Sequence, residues 1–287
     1  MDICYYPGCT LKTKAKNLNL STISSLANLD IEAKELSRWN CCGVVPSLAS
    51  DDLLRLIAPV RNLARAKEEG YSQILTVCSM CYQTLAMANQ IMQEDMEKRD
   101  IINNFMEEEG DYSGEVKVVH LLGFLRDEVG WDRLKIAVKI PLVGLKVAPY
   151  YGCTLIRPRQ VGIEPLESLT LFRDFITAIG GIPVDFPSST ECCSSYQVVS
   201  NPEISDEVSS GILKSAEEWG ADILISSCPL CEYNLGLRKR EKKELPTLYF
   251  TQILALSLGL DEGSINLELN SDSAINFFKE KFKDVLC

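Results

Sequence analysis

Twice in this chain a glycine leads through a short apolar run into a Cys-x-x-Cys motif, first as Gly70-Tyr71-Ser72-Gln73-Ile74-Leu75-Thr76-Val77-Cys78-Ser79-Met80-Cys81 and again as Gly220-Ala221-Asp222-Ile223-Leu224-Ile225-Ser226-Ser227-Cys228-Pro229-Leu230-Cys231. Short apolar runs that follow a glycine are typical of buried strands. The return of a whole segment indicates that one structural unit is built more than once. We therefore expect two equivalent halves, each containing this strand and its cysteines.

The spacing of the cysteines extends the repeat over most of the chain. Ten of the 12 cysteines form two sets of five, and each set has a single cysteine, then an adjacent pair, then the Cys-x-x-Cys motif. The first set is Cys9, Cys41, Cys42, Cys78 and Cys81, and the second is Cys153, Cys192, Cys193, Cys228 and Cys231. Agreement at five positions with nearly equal gaps indicates a duplicated domain.

Between the cysteines, short strands alternate with amphipathic helices, which predicts a mostly parallel sheet in each half. The predicted strands are residues 73–77, 145–150 and 223–226. The predicted helices are residues 48–69, ending at Gly70, and a counterpart marked by Ile204, Val208 and Ile212, ending at Gly220. The fold class is therefore α/β, with two repeated domains that each contain a small, mostly parallel sheet and flanking helices.

We expect the first domain at residues 1–133 and the second at residues 134–287, with residues 134–146 as the connection into a strand. In such sheets ligands bind beyond the carboxyl ends of the strands, where the cysteines lie. Each Cys-x-x-Cys motif also opens a predicted helix, whose N-terminal dipole favours the thiolate.

The composition narrows the possible functions. A net charge of −11 and a pI near 4.8 argue against nucleic-acid binding, which needs a basic face. The N-terminal residues do not resemble a signal peptide, and the most apolar stretches, such as residues 136–147, are too short and too interrupted to cross a bilayer. We expect a cytoplasmic protein without direct membrane insertion, whose cysteines serve metal or redox chemistry.

Five cysteines per set exceed the four ligands of a structural zinc or an ordinary cubane cluster. Two adjacent sulfurs fit awkwardly on one tetrahedral ion but can serve two irons of one cluster. The alternatives are a zinc site with a spare thiol, or a thioredoxin-like pair that leaves the other cysteines unused. The sequence shows no Gly-x-Gly-x-x-Gly motif, so we expect a partner protein to supply electrons. The lone histidine, His120, lies among apolar residues and is interpreted as a packing residue.

The repeated order of Cys, Cys-Cys-Gly and Cys-x-x-Cys resembles the tandem cysteine-rich CCG domains of the heterodisulfide reductase B-subunit family. The resemblance covers essentially the whole chain and includes Tyr6-Pro7-Gly8-Cys9-Thr10, Trp39-Asn40-Cys41-Cys42-Gly43, Tyr150-Tyr151-Gly152-Cys153, Cys228-Pro229-Leu230-Cys231 and Leu248-Tyr249-Phe250-Thr251-Gln252. One departure is Ser194, which stands where the family usually has glycine and puts in doubt any conformation there that needs positive φ.

The resemblance implies that each set of five cysteines holds a noncubane 4Fe–4S cluster. It implies that the two clusters face a shared cavity, where the mixed disulfide of coenzyme M and coenzyme B is reduced. It also implies two partners in a heterodisulfide reductase complex: an iron–sulfur subunit that donates the electrons, and a flavin-containing subunit that feeds this donor. Cys4 and Cys287 have no counterpart in the family and are interpreted as bystanders.

An anionic disulfide would need local positive charge on this acidic chain. Basic residues follow the first cysteine of each set, and we predict that they bind the substrate: Lys12, Lys14, Lys16, Arg157 and Arg159. The alternative is that all five are solvated loop charges. Two other functions remain possible for the whole chain besides a disulfide reductase. One is an electron-transfer subunit of a lactate-, succinate- or glycerol-phosphate-oxidising system that passes electrons to quinone, and the other is a non-catalytic relay subunit.

Overall fold

The structure is a computed structural model and describes residues 1–43, 51–238 and 245–283. Two four-stranded sheets form its framework, one in each half. The strands of the first sheet are β1 (Asp2–Tyr5), β2 (Glu32–Glu35), β3 (Gln73–Thr76) and β4 (Lys117–His120). The strands of the second are β5 (Lys146–Pro149), β6 (Ile182–Pro183), β7 (Ile223–Ser226) and β8 (Thr247–Tyr249). All pairings are parallel, so the predicted α/β class is confirmed.

Helices connect the strands and flank both sheets. In the first half they are α1 (Lys16–Asn28), α2 (Leu54–Glu68), α3 (Ser79–Glu94), α4 (Met96–Phe105), α5 (Leu121–Phe124) and α6 (Trp131–Ala137). In the second half they are α7 (Leu171–Ala178), α8 (Pro202–Glu218), α9 (Pro229–Glu232), α10 (Phe250–Ser257), α11 (Glu262–Ile265) and α12 (Asp272–Lys281). Within the described ranges, no helix is both long enough and apolar enough to span a bilayer.

The two sheets have the same topology. Their strand orders are β2-β1-β3-β4 and β6-β5-β7-β8, so the third strand along the chain lies beside the first in both halves. The registers correspond as well, because Thr76 pairs with His120 where β3 and β4 end, and Ser226 pairs with Tyr249 where β7 and β8 end. The carboxyl ends of equivalent strands therefore meet at equivalent edges, and the cysteine-bearing loops leave from these edges.

Most predicted elements are present, with three differences. The helix predicted at residues 48–69 is observed as α2, and the beginning of the prediction at Leu48 lies outside the described residues. The predicted connection at 134–146 begins within α6, which continues to Ala137 and buries Leu134. The helix predicted from Ile204, Val208 and Ile212 is observed as α8, in which Ile204 is exposed and Ser205 and Ser209 are buried.

A layer of helices joins the two halves. Helix α1 of the first half packs on α10 of the second. Two buried hydrogen bonds support this contact: Asn17 Nδ2 donates to Asn270 Oδ1 over 3.0 Å, and the hydroxyls of Ser21 and Thr251 lie 2.6 Å apart. The halves thus share polar contacts as well as an apolar core, while the domain boundary between residues 133 and 134 stays a prediction.

Candidate metal centre

The first set of cysteines is assembled from three loops that follow strands. Cys9 follows β1, the adjacent pair follows β2, and Cys78 caps the N-terminus of α3 after β3. The sulfurs of Cys9 and Cys41 lie 3.5 Å apart, and those of Cys42 and Cys81 lie 3.6 Å apart. Cys9 and Cys41 are exposed and the other three are buried. The set therefore has one edge open to solvent and one edge in the core.

The second set repeats this arrangement. The sulfurs of Cys153 and Cys192 lie 3.8 Å apart, and those of Cys193 and Cys231 lie 3.4 Å apart. Cys192 is exposed and Cys153 is half-buried, while Cys193, Cys228 and Cys231 are buried. Cys228 caps α9 as Cys78 caps α3, which agrees with the expectation that each Cys-x-x-Cys motif opens a helix. The structure thus brings the predicted ligands of each set together in the same pairs.

The backbone is shaped to approach these sulfurs. Gly8 and Gly152 both have positive φ, of 75° and 64°. A Cβ atom added to Gly8 would lie 2.8 Å from the Cys81 sulfur, and one added to Gly152 would lie 3.6 Å from the Cys231 sulfur. Within the described residues, the Cys, His, Asp and Glu side chains do not form a group of three or more placed to hold a single metal ion. Five thiols around a glycine-lined cradle are a donor set that suits an iron–sulfur cluster.

A tyrosine supports the adjacent cysteines in each half. The hydroxyl of Tyr6 donates to the carbonyl of Asn40 over 2.8 Å, and that of Tyr150 donates to the carbonyl of Glu191 over 2.6 Å. Both carbonyls belong to the residue just before the cysteine pair. Sequence analysis missed this role, although the signal was present as a tyrosine two residues before the glycine of both copies.

Ser194 adopts the positive-φ conformation, which is unusual for a serine. Its φ of 60° and ψ of 23° are left-handed, and the glycine at the equivalent position, Gly43, has φ of 76°. The backbone N–H of Ser194 points at the Cys192 sulfur over 3.4 Å. The loop therefore keeps its shape with serine, at the cost of some backbone strain.

The thiols of the second set are electrostatically uneven. Hydrogen bonds from the Cys153 and Cys193 thiols lower the pKa of Cys192, and the nearby positive charge of Arg157 acts in the same direction. Cys192 is therefore the thiol on the open edge best prepared to act as a thiolate ligand.

Arg157 is the predicted substrate residue that the structure relates most directly to the thiols. Its guanidinium donates to the carbonyl of Thr190 over 2.8 Å, which holds the side chain against the loop before the adjacent cysteines. Its own carbonyl accepts a hydrogen bond of 2.5 Å from Gln83 Nε2 of the first half. The residue is exposed and tied to both halves, so it can meet an anion that approaches the open edge of the second set.

The other predicted substrate residues are exposed, and two of them form ion pairs with carboxylates. Lys12 forms an ion pair of 2.5 Å with Glu35, and Arg159 forms one of 3.6 Å with Glu167. Both pairs are exposed, and their carboxylates offset the positive charge that an anionic ligand would use. The two remaining lysines lie on the surface: Lys14 and Lys16.

His120 and Cys4 have structural environments. His120 is buried, its Nδ1 accepts from the N–H of Leu122, and its Nε2 lies 2.9 Å from the carbonyl of Val77, so both ring nitrogens are engaged. Burial lowers the pKa of His120 to about 3, which keeps the ring neutral. Burial also raises the pKa of Cys4 in β1 to about 12. Cys287 lies outside the described residues.

The two sites adjoin where the halves meet. The first residue of α3, Ser79, donates its backbone N–H to the carbonyl of Ser227 over 3.4 Å. Ser79 follows Cys78 and Ser227 precedes Cys228, so the first Cys-x-x-Cys motif contacts the residue just before the second. The molecule is thus a two-domain α/β protein with a five-cysteine site in each domain and both sites at the shared interface.

The family follows from comparison with known proteins. The cysteine-rich CCG domain matches this chain twice, at residues 3–86 and 147–236, and the two matches correspond to the two halves. The chain belongs to the cysteine-rich CCG domain family. Membership confirms the family predicted from the repeated cysteines and implies an iron–sulfur cofactor.

Relatives of similar length are subunits of reductases. The chain is 31% identical over 94% of its length to the 8-methylmenaquinol:fumarate reductase membrane anchor subunit of Wolinella succinogenes, of which it covers 96%. It is 29% identical over 97% of its length to the B subunit of the ferredoxin/F420H2-dependent CoB-CoM heterodisulfide reductase of Methanosarcina acetivorans, of which it also covers 96%. These relatives support the general class of oxidoreductase for this chain.

A solved structure shares the fold. A hypothetical protein from Helicobacter pylori superposes with a TM-score of 0.74 over 94% of this chain, at 16% sequence identity. The chain spans about half the length of that protein, covering 51% of it.

Proposed function

We propose that this chain is the iron–sulfur subunit of a reductase complex and reduces a disulfide to two thiols. One noncubane 4Fe–4S cluster is held by Cys9, Cys41, Cys42, Cys78 and Cys81, and a second by Cys153, Cys192, Cys193, Cys228 and Cys231. The observation that carries this proposal is the repeated arrangement of five thiols, with an exposed edge and a buried edge in each half. The relatives named as B subunits of heterodisulfide reductases support it.

The balanced reaction consumes two electrons and two protons and converts one S–S bond into two thiols. Bound clusters would supply electrons one at a time, which suits a pair of sites beside one substrate. The residues of this chain hold the clusters and orient the substrate. The buried cysteines anchor each site, and the exposed edges leave room for the substrate. Arg157 attracts an anionic disulfide to the second edge, because guanidinium groups bind carboxylate, sulfonate and phosphate well.

Electrons reach the chain from partner subunits. We propose that the direct donor is an iron–sulfur protein and that a flavin-containing protein stands behind it, corresponding to the iron–sulfur and flavin-containing partners in the heterodisulfide reductase complex. The support is that several relatives are named as subunits of reductases. We expect the iron–sulfur partner to co-purify with this chain and to be needed for its physiological reduction.

A second candidate is electron transfer between a quinol and a partner enzyme. The relative in the fumarate reductase of Wolinella succinogenes favours it, because it is 31% identical and of matching length. Under this proposal the same two clusters relay electrons without cleaving a disulfide. The two candidates share the cofactors and differ in what the clusters react with: a disulfide as oxidant in the first, and a quinol as reductant in the second.

Anaerobic purification with iron and sulfide analysis tests the shared part. We expect about eight irons per chain, four per cluster, with matching sulfide and little zinc. Cys42→Ser and Cys193→Ser should each remove one paramagnetic signal and about half of the iron, whereas the control Cys4→Ala should retain both. One zinc per half without sulfide would contradict the proposal.

Turnover then separates the two candidates. The protein, reduced with an artificial donor, is mixed with the coenzyme M–coenzyme B disulfide and reoxidation of the clusters is followed. In parallel, the oxidised protein is mixed with a menaquinol analogue and reduction of the clusters is followed. Stoichiometric release of thiols supports the disulfide reductase. Reduction of the clusters by the quinol, without reoxidation by the disulfide, supports the relay.

A further inference from the structure

Asn40, the residue just before the adjacent cysteines of the first set, has all of its polar atoms hydrogen-bonded. Its backbone N–H and carbonyl bond to the side chain of Asn62 over 2.9 Å and 3.0 Å. Its side-chain NH2 group donates to the carbonyl of Cys41 over 2.8 Å and to that of Ala58 over 3.1 Å. Its side-chain oxygen accepts from Arg65 Nη1 over 3.2 Å. The Asn40 amide therefore links a charged residue of α2 to the backbone of a predicted cluster ligand.

Arg65 decides which way this amide faces. A guanidinium group can only donate hydrogen bonds, so the Asn40 atom that faces it must be the oxygen. The NH2 group is then turned toward the carbonyl of Cys41. Arg65 Nη1 also donates to the carbonyl of Arg38, so the same nitrogen holds the backbone two residues before Asn40. Without the guanidinium the amide is free to turn over, and the Cys41 carbonyl then loses its donor.

A buried carboxylate fixes the guanidinium in turn. Glu109 lies in the loop after α4, and only 2% of its side chain is exposed. Its Oε1 accepts from Arg65 Nε over 3.2 Å and from Arg65 Nη2 over 2.7 Å. Arg61 Nε also lies 3.2 Å from this oxygen, although within the described residues no hydrogen bond joins Arg61 to Asn40. Because a buried charge that loses its partner is strongly destabilising, Arg65 and Glu109 keep each other in place.

The second half has different residue types at the equivalent positions. The residue before its adjacent cysteines is Glu191, which is exposed and has no NH2 group to donate. Counted back from the glycines that follow α2 and α8, Gly70 and Gly220, the residue equivalent to Arg65 is Ser215. A carboxylate and a short hydroxyl cannot reproduce the bonds of the asparagine and the arginine. The network therefore supports the first set alone.

We propose that Arg65 is a positioning residue that acts through the Asn40 amide and fixes Cys41 on the open edge of the first cluster. This role rests on the proposed clusters. Cys41 is exposed, and its sulfur lies 3.5 Å from that of Cys9, so the direction of its backbone sets the geometry of this edge. Groups that orient a ligand also tune the metal centre to which it binds. A charged network therefore holds the edge that a substrate would meet in the first half.

The test combines electron paramagnetic resonance of the anaerobically purified protein with the rate at which a chelator removes iron. Arg65→Met should change the shape of the first cluster's signal and leave the second signal unchanged. It should also speed iron loss from the first cluster about tenfold, the factor expected for one lost charge-assisted hydrogen bond. Arg65→Lys keeps the charge but lacks the planar fork, so it should give the same changes.

Two further variants separate positioning from general stability. Arg61→Met is the matched control, because it removes a cation from Glu109 and leaves the bonds of Asn40 intact, so both signals should stay as in wild type. Asn40→Asp keeps an acceptor for Arg65 but removes the NH2 group that bonds the Cys41 carbonyl, so it should reproduce the altered first signal. Cys42→Ser and Cys193→Ser assign the two signals.

An unchanged first signal in Arg65→Met with full iron content overturns the positioning role while the clusters stand. A wild-type signal in Arg65→Lys also overturns it, because charge alone would then be sufficient. Equal changes in Arg61→Met and Arg65→Met would overturn it by showing a general effect on stability. If Arg65→Met does not fold, unchanged first signals in Arg65→Lys and Asn40→Asp overturn the role. Wild-type protein without iron and sulfide would instead contradict the proposed function.

Discussion

In the first half of the chain the loop after the adjacent cysteines turns at Gly43, and in the second it turns at Ser194. Both residues are left-handed, with φ of 76° and 60°. Glycine adopts this conformation freely, whereas serine adopts it with strain. The comparison shows that the site requires a left-handed backbone conformation after the adjacent cysteines. The second half adopts this conformation although the residue there is serine and not glycine.

The supports behind the two cysteine pairs also differ. In the first half, Asn62 of α2 accepts from the N–H of Asn40 over 2.9 Å and donates to its carbonyl over 3.0 Å. In the second half, Asn234 follows α9 and donates to the carbonyl of Cys193 over 2.5 Å. The backbone of the two cysteine pairs is therefore held by asparagines from different elements, at the residue before the pair in the first half and at the second cysteine in the second half. Substitutions at equivalent positions should thus have unequal effects.

The largest difference is expected for the glycines before the first cysteine of each set. Gly8→Ala places a Cβ 2.8 Å from the Cys81 sulfur, whereas in Gly152→Ala the Cys231 sulfur is 3.6 Å away and the nearest atom is a Tyr150 carbon at 3.2 Å. We expect Gly8→Ala to lose most of the iron of the first set, and Gly152→Ala to retain most of the second. Iron content and the two paramagnetic signals measure this.

Gly70→Ala is the control for backbone strain alone. Gly70 has φ of 83°, and a Cβ there would meet nothing within 4 Å. It should lower stability by about 1–2 kcal/mol without loss of iron. Equal iron loss from Gly8→Ala and Gly152→Ala would mean that strain, and not the approach to sulfur, decides the effect.

The next effect concerns the residues that end β4 and β8, His120 and Tyr249. The pKa of His120 is lowered from 6.5 to about 3 in the folded protein, so the unfolded chain binds this proton first as the pH falls. The stabilising effect of the neutral ring is complete above pH 6.5 and is lost toward pH 3, by about 1.4 kcal/mol per unit. Tyr249 contributes no such slope in this range, because burial raises its pKa.

Urea midpoints of anaerobic protein between pH 7.5 and about 5.5 measure this slope. The difference in unfolding free energy between wild type and His120→Asn should change by about 1 kcal/mol between pH 6.5 and 5.5, because the full slope is reached only below the unfolded-state pKa. Using the difference cancels every other titrating group. A constant difference over this range would show that the histidine is accessible to protons in the folded state.

Local features of these halves could be predicted from sequence, and long-range features could not. The strand Ile223–Ser226 is observed as predicted, because a short apolar run after glycine has few alternatives. The five-thiol sets follow from repeated spacing alone. The contact of Ser79 with Ser227 is different, since it depends on how the two halves pack, and no pattern within one repeat contains that information. Arg157 could be named from its position, but its distinction from Arg159 needed the contact with Thr190.

A smaller difference is expected between the two supporting tyrosines. Tyr150→Phe removes the hydrogen bond from the tyrosine hydroxyl to the carbonyl of Glu191. This should lower the free energy of unfolding by about 1–2 kcal/mol. Tyr6→Phe should cost less, because the carbonyl of Asn40 keeps its bond from Asn62 Nδ2. Chemical denaturation compares the variants with wild type. A greater loss for Tyr6→Phe would show that Asn62 does not compensate.

The smallest expected effect returns to the loop after the cysteines. Ser194→Gly removes the strain of a left-handed serine but adds freedom to the unfolded chain, so the two terms nearly cancel and we expect a gain of about 0.5–1 kcal/mol at most. Asp30→Gly is the matched control, since Asp30 also has φ of 60° and lies outside both thiol sets. Similar gains in both variants, with unchanged iron, would show that the loop needs only its shape. Loss of the second cluster in Ser194→Gly alone would mean that the serine side chain supports the site, and the two halves would then differ in chemistry as well as in strain.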